Sequence, residues 1–158
     1  AMKYPALPKK RTPDDVIITR ESVIHAPIEI VFNVITDLEL FVELEEGVES
    51  VIITSEVKEG KGMKSHWVLK DPFSGEKWEL DEEIIFSDRP FQYGYVGYAG
   101  GKDYSGVHSL SLNPDGTVHH LFHEVFYFDV DEEVYGEIVG GMIANVKKEA
   151  ERRMAVCN

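Results

Sequence analysis

The sequence has 158 residues, of which 43 % are apolar and 28 % are charged. These proportions are typical of one folded, soluble domain and exclude a disordered or collagen-like chain. The net charge of −13 would repel phosphate groups, so nucleic acid is excluded as a partner. No apolar run is long enough to span a membrane and no signal-like segment is seen, so we expect a cytoplasmic protein. The single cysteine, Cys157, excludes an intrachain disulfide and a cysteine-based zinc site.

The first 14 residues are predicted to form an extended arm ahead of a single domain over 15–158. They contain three prolines and four basic residues and show no apolar period. Because only Asp14 offsets the basic residues, the arm carries +3 and the rest of the chain carries −16. The folded domain is therefore more acidic than the total charge indicates.

A β-strand and two short helices are predicted for the beginning of the domain. Residues 16–25 alternate in polarity and are rich in β-branched side chains, which favours a strand. After Pro27, apolar residues follow a helical spacing as far as Ile35. Asp37 is expected to cap a second short helix, which ends before Gly47.

Six further strands and a long helix complete the predicted order. The strands are predicted at about 48–58, 62–70, 76–87, 91–98, 104–113 and 117–129, each bounded by turn residues. Their connections are too short for a crossover helix, so the strands are expected to pair antiparallel in sequence order. Residues 131–155 are predicted to form one helix with a broad apolar face, which must lie across the sheet.

This order of elements resembles the helix-grip fold of the START and Bet v 1-like (SRPBCC) superfamily. Within it, the chain is most similar to polyketide cyclase/dehydrase and lipid-transport-like proteins over about residues 16–155. The matching stretches are IHAPIEIVFNVITD at 24–37, Gly60 and Gly62, DRPFQY at 88–93, Gly106 and His108, and DGT at 115–117. The resemblance implies an α+β fold in which a curved seven-stranded antiparallel sheet wraps around a long C-terminal helix. It also implies a cavity for an apolar ligand between the sheet and the helix.

Two features of the sequence favour such a cavity independently. Gly136, Gly140 and Gly141 lie inside the predicted long helix, where each costs about 1 kcal/mol relative to Ala. They either leave room for a ligand or allow close packing against the sheet. Aromatic residues are also frequent in the strands, as expected for a small-molecule pocket. The predicted ligand-binding residues are Trp67, Trp78, Phe86, Tyr93, Tyr95, Phe122, Phe126, Ile138 and Met142.

Strand alternation selects Glu82, His108 and Tyr104 as candidate catalytic residues. Glu82 shares a predicted strand face with apolar neighbours from Trp78 to Phe86, where burial would raise its pKa. His108 and Tyr104 share a face with Leu110 and Leu112. The alternatives are a bulge or strand end that exposes Glu82, and a core histidine with a satisfied hydrogen bond.

No metal or cofactor is predicted. In the segment VHHLFHEVF, His119 and His123 share one strand face and His120 and Glu124 share the other, but partners four residues apart lie about 13 Å from each other. The face of strand 117–129 that lines the cavity stays open, because apolar residues occur at both parities. The glycine-rich stretches EGKGMK and AGGKDY lead into strands and lack the context of a phosphate-binding loop.

The sequence favours a binder of a small hydrophobic or aromatic ligand, such as a lipid, a quinone or a polyketide, acting as a monomer or homodimer. One alternative is a polyketide cyclase, aromatase or dehydratase that uses Glu82 and His108 as acid and base. A second alternative is an adaptor that binds a basic partner through the acidic run from Asp37 to Glu49.

Overall fold

The computed structural model describes residues 7–157. Within them, seven strands and three α-helices follow the predicted order, with a short 3₁₀ turn at Leu38–Leu40 ahead of the second helix. The elements are β1 (Val16–Ile24), α1 (Ile28–Thr36), α2 (Phe41–Leu44), β2 (Val48–Ile53), β3 (Lys64–Lys70), β4 (Lys77–Asp88), β5 (Gln92–Ala99), β6 (Lys102–Leu112), β7 (Val118–Phe126) and α3 (Glu132–Cys157). Asp37 precedes the 3₁₀ turn but forms no side-chain cap there, which corrects its predicted role.

All seven strands form one antiparallel sheet in the order β1-β7-β6-β5-β4-β3-β2. Strands β2 to β7 pair in sequence order, as their short connections predicted. β1 pairs with β7, so the first and last strands meet. This arrangement confirms the α+β helix-grip fold.

The long helix α3 packs against β1 and α1 and covers the inner face of the sheet. Asp131 caps its N-terminus, because the backbone N–H groups of Glu133 and Val134 each donate to Asp131 Oδ1 at 3.1 Å. Its buried apolar residues recur at helical spacing and include Val139, Met142 and Val146. The predicted broad apolar face is therefore present.

None of the α3 glycines lines the cavity, and of the two predicted reasons for them the structure favours close packing at Gly136. A Cβ atom on Gly136 would lie 2.5 Å from Nη2 of Arg20 on β1, so only glycine lets the Arg20 side chain lie this close to the helix. A Cβ on Gly140 would lie 3.8 Å from Arg20 Nε, an ordinary van der Waals distance. Gly141 is exposed and has no heavy atom within 4 Å of the position that a Cβ would take.

A bulge in β4 reverses the alternation of its side chains. The pairing of β4 with β5 shifts between Ile84 and Phe86, so that Phe86 is opposite Gly94. The Phe86 ring occupies the space where a Gly94 Cβ would be, on the face away from Tyr93 and Tyr95. Phe86 therefore does not share the face of Glu82, and its predicted place among the ligand-binding residues is corrected.

The predicted arm covers residues 1–14, of which residues 1–6 lie outside the part of the chain that the structure describes. Residues 7–14 form neither helix nor strand. Arg11 lies over the Tyr127 ring at 3.7 Å and near Asp103 at 3.8 Å, while the Pro8 carbonyl accepts a hydrogen bond from His123 Nε2 at 3.1 Å. No helix in residues 7–157 is both long and apolar enough to cross a membrane.

Candidate ligand-binding cavity

A cavity of about 150 Å³ lies between the inner face of the sheet and the helices. Its wall is mainly apolar and rich in aromatic side chains, and the sheet and α3 supply most of it. The aromatic residues that line it are Phe41, Trp67, Trp78, Tyr93, Tyr95, Tyr104, Phe122, Phe126, Phe128 and Tyr135. Ile138 and Met142 of α3 lie on the opposite wall. A cavity of about this volume in another protein holds benzene, so the space fits one aromatic ring.

Glu82 lies in the cavity wall at one end of a row that crosses three strands. Glu82 of β4 pairs with Gly97 of β5, and Gly97 pairs with Tyr104 of β6. Because Gly97 has no side chain, the Tyr104 ring lies across it, 2.0 Å from where a Cβ would be. The Tyr104 hydroxyl then reaches Glu82 and donates to its Oε2 at 2.6 Å. The glycine therefore positions the tyrosine on the carboxyl group.

A second row of the same composition runs in the opposite direction. Tyr95 of β5 pairs with Gly106 of β6, and Gly106 pairs with Glu124 of β7. The Tyr95 ring covers Gly106, and its hydroxyl donates to Glu124 Oε2. The rings of Tyr95 and Tyr104 meet edge to face at a centroid distance of 6.1 Å. The sheet thus carries two carboxyl–tyrosine pairs side by side in the cavity wall.

Burial raises the pKa values of the carboxyl groups in the cavity. Loss of solvation raises the pKa of Glu82 to about 8, although the Tyr104 hydrogen bond lowers it in part. It also raises the pKa of Glu124 well above its usual value. Glu45, which follows α2, is half-buried at the cavity, and desolvation raises its pKa to about 7. At neutral pH burial therefore favours the protonated forms of Glu82 and Glu124.

The histidine predicted to face inward is part of a buried pair. His108 Nδ1 lies 2.9 Å from His120 Nε2, and the two rings stack with centroids 5.2 Å apart. Burial lowers the pKa of His108 well below its ordinary value and lowers that of His120 to about 3. Both imidazoles are therefore neutral, and only His108 lines the cavity.

One hydroxyl in the cavity wall has no protein partner. Tyr93 is 1 % exposed and lines the cavity, and its hydroxyl forms no hydrogen bond within residues 7–157. A buried hydroxyl without a partner is uncommon, because it loses its hydrogen bonds to water without compensation. It is therefore an unpaired polar group on a residue of the cavity wall.

The structure brings most of the predicted site residues together around the cavity. Glu82, Tyr104 and His108 all line it, and so do the predicted ligand-binding residues other than Phe86. Trp78 is 36 % exposed, at the outer end of the lining. The open question about β7 is answered by its burial: His120, Phe122 and Glu124 face inward, whereas His119 and His123 bind Glu21 and Thr19 on the outer side.

Glu124 and Glu45 line the cavity but were not predicted as site residues. Glu124 was noted only as a partner of His120, and the pairing of Tyr95, Gly106 and Glu124 requires the strand register. Glu45 was part of the acidic run from Asp37 to Glu49, and no signal in the sequence separates it from Glu43 or Glu46. Within residues 7–157, no three His, Cys, Asp or Glu side chains are grouped closely enough to hold a metal ion.

The sequence matches the family model described as polyketide cyclase / dehydrase and lipid transport over residues 15–155. The chain belongs to this family. The match agrees with the resemblance to the SRPBCC superfamily that the sequence predicted. Among curated protein sequences, none matches this chain.

Solved structures from several organisms have the same fold. TTHA0849 from Thermus thermophilus superposes with a TM-score of 0.70 at 17 % identity, covering 87 % of this chain and 99 % of that one. The Zhui aromatase/cyclase from Streptomyces sp. R1128 gives 0.65 at 14 % identity, with 88 % and 95 % covered. A START superfamily protein from Mycobacterium smegmatis gives 0.63 at 9 % identity, with 90 % and 99 % covered. Family and fold fit a ligand-binding SRPBCC protein or a polyketide cyclase-like protein.

Proposed function

We propose that this protein binds a small hydrophobic or aromatic molecule in the cavity between the sheet and α3. The observation that carries the proposal is the cavity itself, about 150 Å³ in volume and walled mainly by apolar side chains, many of them aromatic. Aromatic walls with a few polar groups are the usual form of a small-molecule site. The family description, which names lipid transport beside cyclase and dehydrase activity, supports the same proposal.

The size of the cavity favours ligands with one aromatic ring over long-chain lipids. The volume is close to that of a cavity that holds benzene, so a larger ligand would require the wall to move. Tyr135 and Ile138 of α3 are only half-buried, so this side of the wall borders solvent and is the entry that we propose.

Calorimetric titration with phenethyl alcohol tests this proposal, and native mass spectrometry of gently purified protein tests for a retained ligand. A matched pair of variants places the binding: Ile138→Trp fills the cavity from α3, and Glu137→Trp adds the same ring on the exposed side. We expect Ile138→Trp to weaken binding about tenfold or more and Glu137→Trp to leave it unchanged. Equal binding by both variants, or no binding by the parent protein, would contradict the proposal.

A second candidate function is a cyclase, aromatase or dehydratase acting on a polyketide-like substrate. The 2.6 Å hydrogen bond between Tyr104 and Glu82 favours it, because a carboxylic acid with a pKa of about 8 can donate a proton at neutral pH. In this role Glu82 acts as the acid, Tyr104 positions it, and neutral His108 accepts a proton. The likeness to an aromatase/cyclase at 14 % identity supports the fold alone.

Turnover of a linear poly-β-ketone thioester, followed by mass spectrometry, tests the second candidate. Glu82→Gln and His108→Gln are expected to abolish turnover, although both variants should still bind the thioester. Turnover that both variants retain, or that the parent protein lacks, would exclude this role and leave the binding proposal in place.

A further inference from the structure

The polar chemistry of the cavity is acidic, and its carboxyl groups have no cationic partner in the part of the chain that the structure describes. Glu45, Glu82 and Glu124 all line the cavity. Among the described residues of its wall, Lys70 is the single Lys or Arg side chain, and it is exposed. Buried carboxylates are ordinarily paired with a cation or a metal, so once these groups lose their protons the wall lacks the positive charge that would balance them.

Each carboxyl group keeps acceptor sites that residues 7–157 leave unused. Glu82 accepts one hydrogen bond, from Tyr104, and Glu124 accepts one, from Tyr95. An ionised carboxylate has about four acceptor sites, so both groups can accept further donors from a molecule between them. Tyr93 lines the same cavity, and its buried hydroxyl, without a partner among the described residues, is an independent unpaired polar group.

The remaining wall is suited to a cation as well as to an apolar group. Tyr95, Tyr104, Phe122 and Phe126 present aromatic rings to the cavity, together with Trp67. A ring face attracts an ammonium group, and more strongly when the cation is desolvated. Aromatic faces beside unpaired carboxylates are complementary to a positively charged organic molecule.

We propose that the cavity takes a small aromatic amine in its protonated form, with the ammonium group between Glu82 and Glu124 and the ring among the aromatic side chains. This inference rests on the proposed function and names its ligand class. The ammonium group donates to the unused carboxylate oxygens and provides the positive charge that the cavity wall lacks. The Tyr93 hydroxyl accepts a further hydrogen bond from the ligand or donates one to it.

The pH dependence of binding follows from the groups around the ligand. These groups are Glu45, Glu46, Lys70 and Asp71 toward the exposed side, Glu82 and Glu124 in the sheet, and Tyr93, Tyr95, Tyr104, His108 and Tyr135 around them. The tyrosines and His108 stay neutral near pH 7, because burial raises the tyrosine pKa values and lowers that of His108. Glu82 must lose its proton to bind a cation, so affinity for an amine is expected to rise with pH through about 8.

Three probes of one size and different charge test the inference by calorimetry near pH 9: phenethylamine, phenethyl alcohol and phenylacetate. A primary amine stays largely protonated there, since its pKa is about 10. We expect phenethylamine to bind at least about tenfold more tightly than the alcohol, and phenylacetate to bind most weakly. Between about pH 6 and pH 9, affinity for the amine should rise while affinity for the alcohol does not.

Isosteric variants show which carboxyl groups give the preference for the amine over the alcohol. Glu82→Gln and Glu124→Gln are each expected to reduce the preference for the amine over the alcohol by about tenfold while the alcohol still binds. Glu83→Gln removes the same charge from the neighbouring position of β4, where Glu83 lies near Lys64 on the other face, and should leave the preference unchanged.

Equal or tighter binding of the alcohol would overturn the amine inference and leave the proposed function standing. Tighter binding of the alcohol as pH falls would also overturn the amine inference alone, because it would show that protonated carboxyl groups donate hydrogen bonds to the ligand. Failure of all three probes would overturn the proposed function and the inference together.

Discussion

Glu82 and Tyr104 form a pair only because Gly97 lies between them. Two rows of the sheet share this arrangement, and each places a tyrosine ring flat over a glycine so that the hydroxyl reaches a carboxyl group on the next strand. A side chain at either glycine would hold the ring away from the sheet. The composition of the cavity wall therefore depends on two residues that contribute no side chain.

Gly97→Ala is expected to lower the free energy of unfolding by about 1–3 kcal/mol, the usual cost of overpacking a core. The added Cβ would lie 2.0 Å from the Tyr104 ring, which must move and lose its hydrogen bond to Glu82. Urea denaturation of Gly97→Ala, Tyr104→Ala and the double variant measures the effect. We expect a coupling of about 1 kcal/mol or more, since Ala at 97 is harmless once the ring is absent. Additive effects would show that the Tyr104 ring does not depend on Gly97.

Residue-scale features of the site were predictable only where strand alternation is regular. Alternation placed Glu82, Tyr104 and His108 on the inner face, and all three line the cavity. It failed at Phe86, because a bulge adds one residue to β4 and moves the side chain to the other face. The carboxyl–tyrosine pairs depend on the register between strands, which the sequence of a single strand does not specify.

At the scale of elements, α3 combines a broad apolar face with glycines that have different surroundings. Gly136 and Gly140 lie against Arg20 of β1, whereas Gly141 is exposed and meets no other heavy atom. The glycines were expected to create room for a ligand or to allow close packing. The structure supports close packing for Gly136, whereas a side chain at Gly140 would meet Arg20 at an ordinary contact distance and Gly141 has no packing explanation.

Gly141→Ala is expected to raise the free energy of unfolding by about 0.5–1 kcal/mol, because alanine loses less backbone freedom in a helix. Thermal and urea denaturation measure this gain. Gly116→Ala provides the comparison: a Cβ there also meets nothing within 4 Å, but the residue has φ +88°. We expect that variant to lose about 1–2 kcal/mol through backbone strain alone. A loss of stability in Gly141→Ala would contradict the prediction, because it would mean that a methyl group at this position disrupts a contact.

The inner and outer faces of β7 show why one element can be hard to orient from sequence. Apolar residues occur at both parities, since Phe122 faces the cavity while Val125 is fully buried on the other side. The arm contacts that outer side at His123 and Tyr127. Because both faces of β7 mix polar and apolar side chains, the alternation of polarity does not show which face is the inner one.

At the scale of the whole molecule, the order of strands and helices was predicted almost completely. Short turns between the strands require antiparallel neighbours, and a broad apolar helix requires a sheet to cover it. Acidic side chains ordinarily lie on the surface of a folded protein. Glu45, Glu82 and Glu124 depart from this, because they line the cavity instead. Their placement depends on a turn after α2 and on strand register, which local patterns do not encode.

These buried carboxyl groups predict that the protein is most stable on the acidic side of neutral. Glu82 keeps its proton in the folded state up to about pH 8, whereas its reference pKa is 4.5, so its contribution is present at low pH and is lost as pH rises through that window. Glu45 and Glu124 act in the same direction. His108 and His120 oppose them below pH 6.5, because the unfolded chain gains protons that the buried imidazoles do not.

Urea denaturation across the pH range tests this balance. We expect the free energy of unfolding to fall by several kcal/mol from about pH 6 to pH 9, since each unit of pKa difference corresponds to about 1.4 kcal/mol. Self-repulsion of the −13 net charge acts in the same direction. Glu82→Gln should flatten the fall because glutamine has no proton to lose, and Glu83→Gln should retain it. Stability that does not fall toward pH 9 would contradict the prediction, because it would mean that the carboxyl groups ionise at nearly ordinary pKa values in a cavity that is hydrated or holds a cation.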